Sequence, residues 1–275
     1  MEPEHPGCEA AVAFCADSWR EHRRRTSLEA NLRRAGISEE AFWERYGAWV
    51  AAMQGDYPGA LLQRVAAYAR PGGTVLDIGA GTGVFALPLA RRAHSVTAVE
   101  PSSAQARQLR EMIRREGARN ISVVEKRWED VAIEKPASYD LVLAIHSLQM
   151  DDIAAALRKM CRVADRCLLL VHPKGNRLSD AMRELFGVEP GPDHTGLCEM
   201  LTGLGYQPDV EFCDYSYDVT LDLQMDILRF NPGLDSGQCN ELRDYAVAHD
   251  MTVQRNGALW LRRFCMDALV SVISA

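Results

Sequence analysis

The segment Thr74-Val75-Leu76-Asp77-Ile78-Gly79-Ala80-Gly81-Thr82-Gly83 decides the reading of the chain. An apolar run enters three alternate glycines and leaves through Val84, Phe85, Ala86 and Leu87, the pattern of a strand, a tight loop and a helix start. Glycines lack Cβ, so the backbone can turn sharply and approach a ligand, and amides at the helix start are free to face it. The next apolar run, Ser95 to Val99, ends at Glu100. That is near the separation at which a carboxylate accepts hydrogen bonds from ribose hydroxyls, so loop and acid together point to an adenosine-type ligand.

Outward from this segment, short apolar runs alternate with helical stretches. Thr74 to Ile78, Ser95 to Glu100, Ile121 to Glu125, Tyr139 to His146 and Cys167 to His172 read as strands. Val84 to Arg92, Ser103 to Glu116 and Ile153 to Val163 read as helices. The rhythm predicts an α/β fold with a doubly wound, Rossmann-like, mostly parallel sheet and helices on both faces. It extends over 71–275, with a helix-rich stretch from Leu178 to Leu204, extended runs near Val210 to Val219 and Leu259 to Ile273, and an inserted helical segment near 221–256. Residues 1–70 read as a helical N-terminal cap carrying Trp19, Trp43 and Trp49. Its aromatic residues have two readings: packing against the later domain, or a lid that turns Tyr46, Trp49 or Tyr57 toward a substrate.

Glycine spacing narrows the ligand. A dinucleotide fingerprint starting at Gly79 needs glycine where Val84 stands, and no GK[ST] follows as in a phosphate-binding P-loop. The segment instead resembles the first motif of class I S-adenosylmethionine-dependent methyltransferases, a likeness that covers roughly Thr74 to Pro173. The resemblance implies S-adenosylmethionine as cofactor and S-adenosylhomocysteine as product. It also implies that Gly79, Gly81 and Gly83 hold the methionine part, that Asp77 supports the loop and that Glu100 holds the ribose. Ala80 and Pro101 complete these two stretches. A further acid after the third strand commonly meets the adenine amino group; Asp130 is the best match and Glu129 the second, with Trp128 either stacking near the adenine or packing in the core.

Methyl transfer from a sulfonium is an in-line displacement, which needs alignment and sometimes a base. The resemblance places the end of the fourth strand, Ala144-Ile145-His146-Ser147-Leu148, at the methyl. A neutral imidazole there suits methylation of oxygen or nitrogen, which makes His146 the candidate base, with strand-end hydrogen bonding as its structural alternative. His172 and Lys174 end the fifth strand and belong to the same expected cleft. The tetrapeptide of DNA amino methyltransferases and the Pro-Cys pair of cytosine-carbon methyltransferases are both missing. The segment 221–256 reads as a specificity element or as a core extension or homodimer contact.

Composition bounds the rest. The 275 residues are 47% hydrophobic and 25% charged, and no run approaches the about 18 apolar residues of a membrane span. Met1 to Ala10 lack a signal-peptide pattern, so a cytoplasmic protein is expected. A net charge of −7 disfavours nucleic acid as partner and favours a small-molecule acceptor. The exception is local: Arg20, Arg23, Arg24, Arg25, Arg33 and Arg34 form either a solvated helix face or the docking surface of a methyltransferase acting on RNA or protein. A protein that binds the cofactor without turnover is the remaining alternative. Eight cysteines without metal-ligand spacing predict buried thiols and no metal site.

Overall fold

The computed structural model describes residues 6–132 and 138–273, with side chains from residue 9 onward; Met1 to His5 and the Cys8 thiol lie outside the described residues. Four helices open the chain: α1 (Pro6–Arg25), α2 (Leu28–Ala35), α3 (Glu39–Ala52) and, after a two-residue strand β1 (Gln54–Gly55), α4 (Gly59–Tyr68). The alternating part runs β2 (Thr74–Ile78), α5 (Ala86–Ala90), β3 (Ser95–Val99), α6 (Ser103–Glu116), β4 (Ile121–Val124), a 3-10 turn at Trp128–Asp130, β5 (Tyr139–Ile145), α7 (Ile153–Val163) and β6 (Ala164–Asn176). After it come α8 (Arg177–Phe186), α9 (His194–Gly203), β7 (Asp209–Thr220), α10 (Leu221–Leu228), α11 (Ser236–Ala248), β8 (Thr252–Arg255) and β9 (Ala258–Ile273).

These strands form one sheet in the order β1-β7-β9-β6-β5-β2-β3-β4, with β8 hydrogen-bonded to β9. Strands β4, β3, β2, β5 and β6 are parallel, and β9 runs antiparallel between β6 and β7. The chain steps outward from β2 to β3 and β4, then returns to add β5 on the other side. The carboxyl ends of β2 and β5 therefore flank the crevice in which open α/β sheets bind ligands.

Burial follows the two-residue period of the strands. Val75, Leu143, Ile145, Leu169, Val171, Tyr215, Tyr217 and Leu269 face one apolar layer, and Leu76, Ile78, Val142, Ala144, Leu168, Leu170 and Val270 face the other. The opening helices divide between them. α1 packs Val12, Ala16 and Trp19 beside α7 and α9 in the second layer, while α3 packs Phe42 and Trp49 beside α6 and α10 in the first, with α4 against β7. Helix boundaries are chemically marked. Ser102 Oγ accepts from Gln105 N, Asp152 Oδ1 from Ala155 N, and Asp235 forms a capping box with Gln238, contacts that contribute about 1 kcal/mol each.

Several expectations need adjustment. The helix after the glycine loop is shorter than read, starting at Ala86 and ending at Ala90. β6 is longer, because its pairing with β9 carries it past the fifth apolar run to Asn176. The segment 221–256 contains helices α10 and α11 but also β8, which turns back on β9 through Asn256 and Gly257, at φ 48° and 79°, a two-residue hairpin of the Asn-Gly kind. Among the described residues no helix is long and apolar enough to cross a membrane, and no three or more His, Cys, Asp or Glu side chains gather in a metal-binding group. The seven described cysteines are free, and burial pushes the thiols of Cys15, Cys161 and Cys167 up to about 11, which keeps them protonated near neutral pH.

Candidate active site

The glycine loop leaves the carboxyl end of β2 with Gly79, Gly81 and Gly83 at φ 74°, 57° and 93°, a region that side chains with a Cβ rarely adopt. At Gly79 a Cβ would also run into the side chain of Ser147, which follows β5, and Ser147 Oγ donates to Ile78 O at 2.6 Å. Loop and β5 terminus are thus in direct contact. The loop amides are less free than expected. Gly79 N and Ala80 N donate to Val99 O at 2.8 and 3.1 Å, Gly83 N donates to Ala80 O, and Gly81 N donates to Glu100 Oε2 at 2.8 Å. A strand edge and a carboxylate stand beside the loop and satisfy donors that the short α5 cannot.

Glu100 is 5% exposed, and its second oxygen accepts from Ser102 N at 2.8 Å. Each of its oxygens keeps acceptor capacity. Asp77 is buried beneath the loop with Oδ2 unpartnered. Burial first, and then the charge of Glu100, push its carboxyl up to about 7. Neither acid makes an ion pair among the described residues. Pro101 is exposed beside them. Beyond β4, Glu129 and Asp130 are exposed at the rim, whereas Trp128 is buried, donates its indole N–H to Ala156 O on α7 and carries the Lys159 ammonium 4.3 Å above its ring.

His146 stands directly after β5. Alternation along the strand puts Ile145 in the first layer, and an unbroken strand would send His146 to the second. Instead its φ is 53°, a left-handed conformation uncommon outside glycine and costing about 1–3 kcal/mol. The turn brings Nε2 to 2.8 Å from Oδ2 of Asp267 on β9. Asp267 is 1% exposed, and burial first, then its charge, pushes the Tyr215 hydroxyl up, so that hydroxyl stays protonated beside the carboxylate. When Nε2–H donates to Asp267, Nδ1 is left as the acceptor of a neutral ring.

The three cap residues singled out in the sequence converge on the same side of the sheet. Tyr46 lies 5.2 Å from Trp49 between ring centres, Trp49 6.2 Å from Tyr217, and Tyr57 5.5 Å from Tyr215 and 6.5 Å from Phe85 of the glycine loop. Burial raises the Tyr57 hydroxyl, as do Tyr46 and the carboxylates of Asp267 and Asp77, so it remains a proton donor. His172 is not in this group. It faces Trp19 of α1 at 5.5 Å in the opposite layer and hydrogen-bonds through Nδ1 to Pro173 O, and burial and His146 lower its pKa. Lys174 lies over the ring of Phe212. A cleft of about 1150 Å³ between α1, α2 and the segment after α8 reaches His172 and Leu148.

Sequence reading missed Asp267, Tyr215 and Tyr217. One signal was available for the acid: in Cys265-Met266-Asp267-Ala268-Leu269-Val270 it interrupts an apolar run that the fold must bury. Of the arginines near the N-terminus, Arg20, Arg23 and Arg33 are engaged by Asp17, Asp151 and Glu29, which reduces that strip as a free cationic surface.

Comparison with known proteins agrees with this geometry. Residues 75–166 match the family model described as a methyltransferase domain. This segment resembles a methyltransferase domain, as the glycine loop and Glu100 lead one to expect. The residues present fit S-adenosylmethionine as its ligand: Asp77 and Glu100 offer carboxyl groups that make no ion pair among the described residues, and spare acceptors, to a ligand with a cationic methionine end and two ribose hydroxyls. The chain is similar to the YcgJ protein of Bacillus subtilis, at 18% identity and a TM-score of 0.57, over 78% of this chain and 97% of that one. It is also similar to the [4+2]-cyclase SpnF, at 20% identity and a TM-score of 0.52, over 78% of this chain and 80% of that one. These likenesses show the fold, and the cyclase shows that the fold alone does not fix the reaction. An uncharacterized protein of Haemophilus influenzae is 29% identical over 143 residues, 51% of this chain and 53% of that protein, so the match spans about half its length.

Proposed function

We propose that the protein is a cytoplasmic S-adenosylmethionine-dependent methyltransferase that methylates an oxygen or nitrogen of a small molecule, with His146 as base. The observation that carries this reading is the 2.8 Å contact between His146 Nε2 and the buried Asp267, held one residue from the Ser147 side chain that packs on the glycine loop. When bound, S-adenosylmethionine supplies an electrophilic methyl group and leaves as S-adenosylhomocysteine. The chain's own residues do the rest. Glu100 and the loop hold the cofactor, and Tyr46, Trp49 and Tyr57 wall the acceptor side. His146 Nδ1 takes the proton from the acceptor's O–H or N–H as its lone pair attacks, and Asp267 stabilises the imidazolium that results.

The test is methyl transfer from labelled S-adenosylmethionine to a panel of phenols, carboxylic acids and amines, by the native chain and by His146→Gln. Turnover that falls in the variant while cofactor binding persists supports the proposal. Cofactor binding with no turnover on any acceptor would favour a protein that binds without catalysis.

A further inference from the structure

One charged group on the proposed acceptor side has no counter-charge among the described residues. Along β9, Arg263, Cys265 and Asp267 share a face, and across the ladder Tyr217, Tyr215 and Cys213 pair with them in that order. Asp267 serves His146. Arg263, four residues away, lies about 13 Å from it along the strand. Its guanidinium is half-buried and makes no ion pair among the described residues. One amino group donates to Oε1 of Gln224, itself 2% exposed, and the guanidinium lies over Tyr217, 5.6 Å from its ring centre. The Nε–H is buried without an acceptor.

A second donor, beside the same tyrosine, is in the same condition. Trp49 is 7% exposed, its ring lies 6.2 Å from that of Tyr217, and its Nε1–H is buried with no partner. Tyr46 is the neighbour they share: its ring is 5.2 Å from that of Trp49, and its hydroxyl, pushed up by burial, feels the opposing charge of Arg263. A buried donor without an acceptor, and a cation without an anion, are each costly, and here two such groups lie around one tyrosine pair. Neighbouring arginines of the same strands are engaged: Arg255 and Arg262 both reach Asp218.

We propose that Arg263 and Trp49 form an anion subsite that binds a carboxylate of the methyl acceptor, and that the acceptor is an aromatic acid. The inference rests on the proposed function, whose acceptor it specifies. A single guanidinium fork and one indole N–H match the charge and planar geometry of a carboxylate, whereas a phosphate dianion would leave charge and lone pairs unmet. The rings of Tyr46, Tyr57, Tyr215 and Tyr217 supply the aromatic wall between the subsite and His146.

Calorimetry of the full chain, with S-adenosylhomocysteine and with the probes 4-hydroxyphenylacetate and 4-hydroxyphenylacetamide, tests it. The native protein is expected to bind the acid at least tenfold more tightly than the amide. Arg263→Gln should abolish that preference at unchanged S-adenosylhomocysteine affinity. Arg263→Lys, which keeps the charge but not the fork, should retain part of the preference, and Trp49→Phe, which keeps a ring but removes the N–H, should weaken the acid severalfold. If Arg263→Gln does not fold, the lysine and phenylalanine variants decide. Equal binding of acid and amide by the native chain, or an acid preference that survives these variants, overturns the subsite. Failure of S-adenosylhomocysteine to bind the native chain would instead overturn the proposed function.

Discussion

At the proposed cofactor end the decisive hydrogen bond, Gly81 N to Glu100, joins residues 19 apart in the chain, while at the proposed acceptor end the one between His146 and Asp267 joins residues 121 apart. The first is built by a single strand-loop-strand unit and repeats wherever that unit folds. The second exists only because β9 inserts antiparallel beside β6 and delivers Asp267 next to Pro173, near the carboxyl end of β5. A cofactor site of this kind is a local property of the sequence, whereas an acceptor site is a property of the topology.

The largest expected effect breaks the local end. In Gly79→Val a β-branched residue would have to adopt φ 74° with its Cβ inside Ser147. The left-handed backbone costs about 1–2 kcal/mol and the overlap a further 1–3 kcal/mol. Cofactor binding by calorimetry should vanish, and the melting temperature should fall by about 5–10 °C. Micromolar binding in this variant would remove the loop from the cofactor site.

Next comes the acceptor end. His146→Gln should lower kcat/KM by about 10²–10⁴ with the cofactor dissociation constant unchanged, since only the proton acceptor is lost. Asp267→Asn should cost less, about ten- to hundredfold in kcat with KM for both substrates unchanged, because the imidazole stays present but loses its orienting carboxylate. A rise in KM at constant kcat would reassign Asp267 to binding the acceptor. Full turnover in the His146 variant would return that residue to a strand-end role.

The same contrast explains what could be read in advance. β2, α6 and α7 have the limits expected from the residues alone, because each is an apolar run or amphipathic repeat bounded by its own cap or glycine, such as Ser102 and Gly117 around α6. Glu100 was legible because it ends the strand next to the loop. Asp267, Tyr215 and Arg263 were not, since alternation in β7 and β9 shows that they share a face but not which element covers it. His146 was placed by its strand end, yet its left-handed turn, which chooses the layer its ring enters, has no signature in an Ile-His-Ser sequence. The hairpin at Asn256-Gly257 was missed, although its dipeptide is a turn signal, because it sits in a segment that otherwise reads as helical.

The smallest effect tests whether Asp77 senses the ligand's charge. Its carboxyl, at about 7 in the folded chain against 3.8 for the free group, holds a proton that the unfolded chain releases. The fold therefore loses stability from this group as pH rises from about 4 to about 7. A cationic methionine end acts in the opposite direction, favouring the carboxylate, so binding expels the proton. Cofactor affinity should be full above pH 7 and fall below it, by about tenfold at pH 6. The amino group of the cofactor titrates as well, but equally for the native protein and Asp77→Asn, so the difference between their calorimetric pH profiles isolates the aspartate. A native profile that runs parallel to that of the asparagine variant would mean that the buried acid holds the loop through shape alone, and would reduce the cofactor end to Glu100 and the glycines.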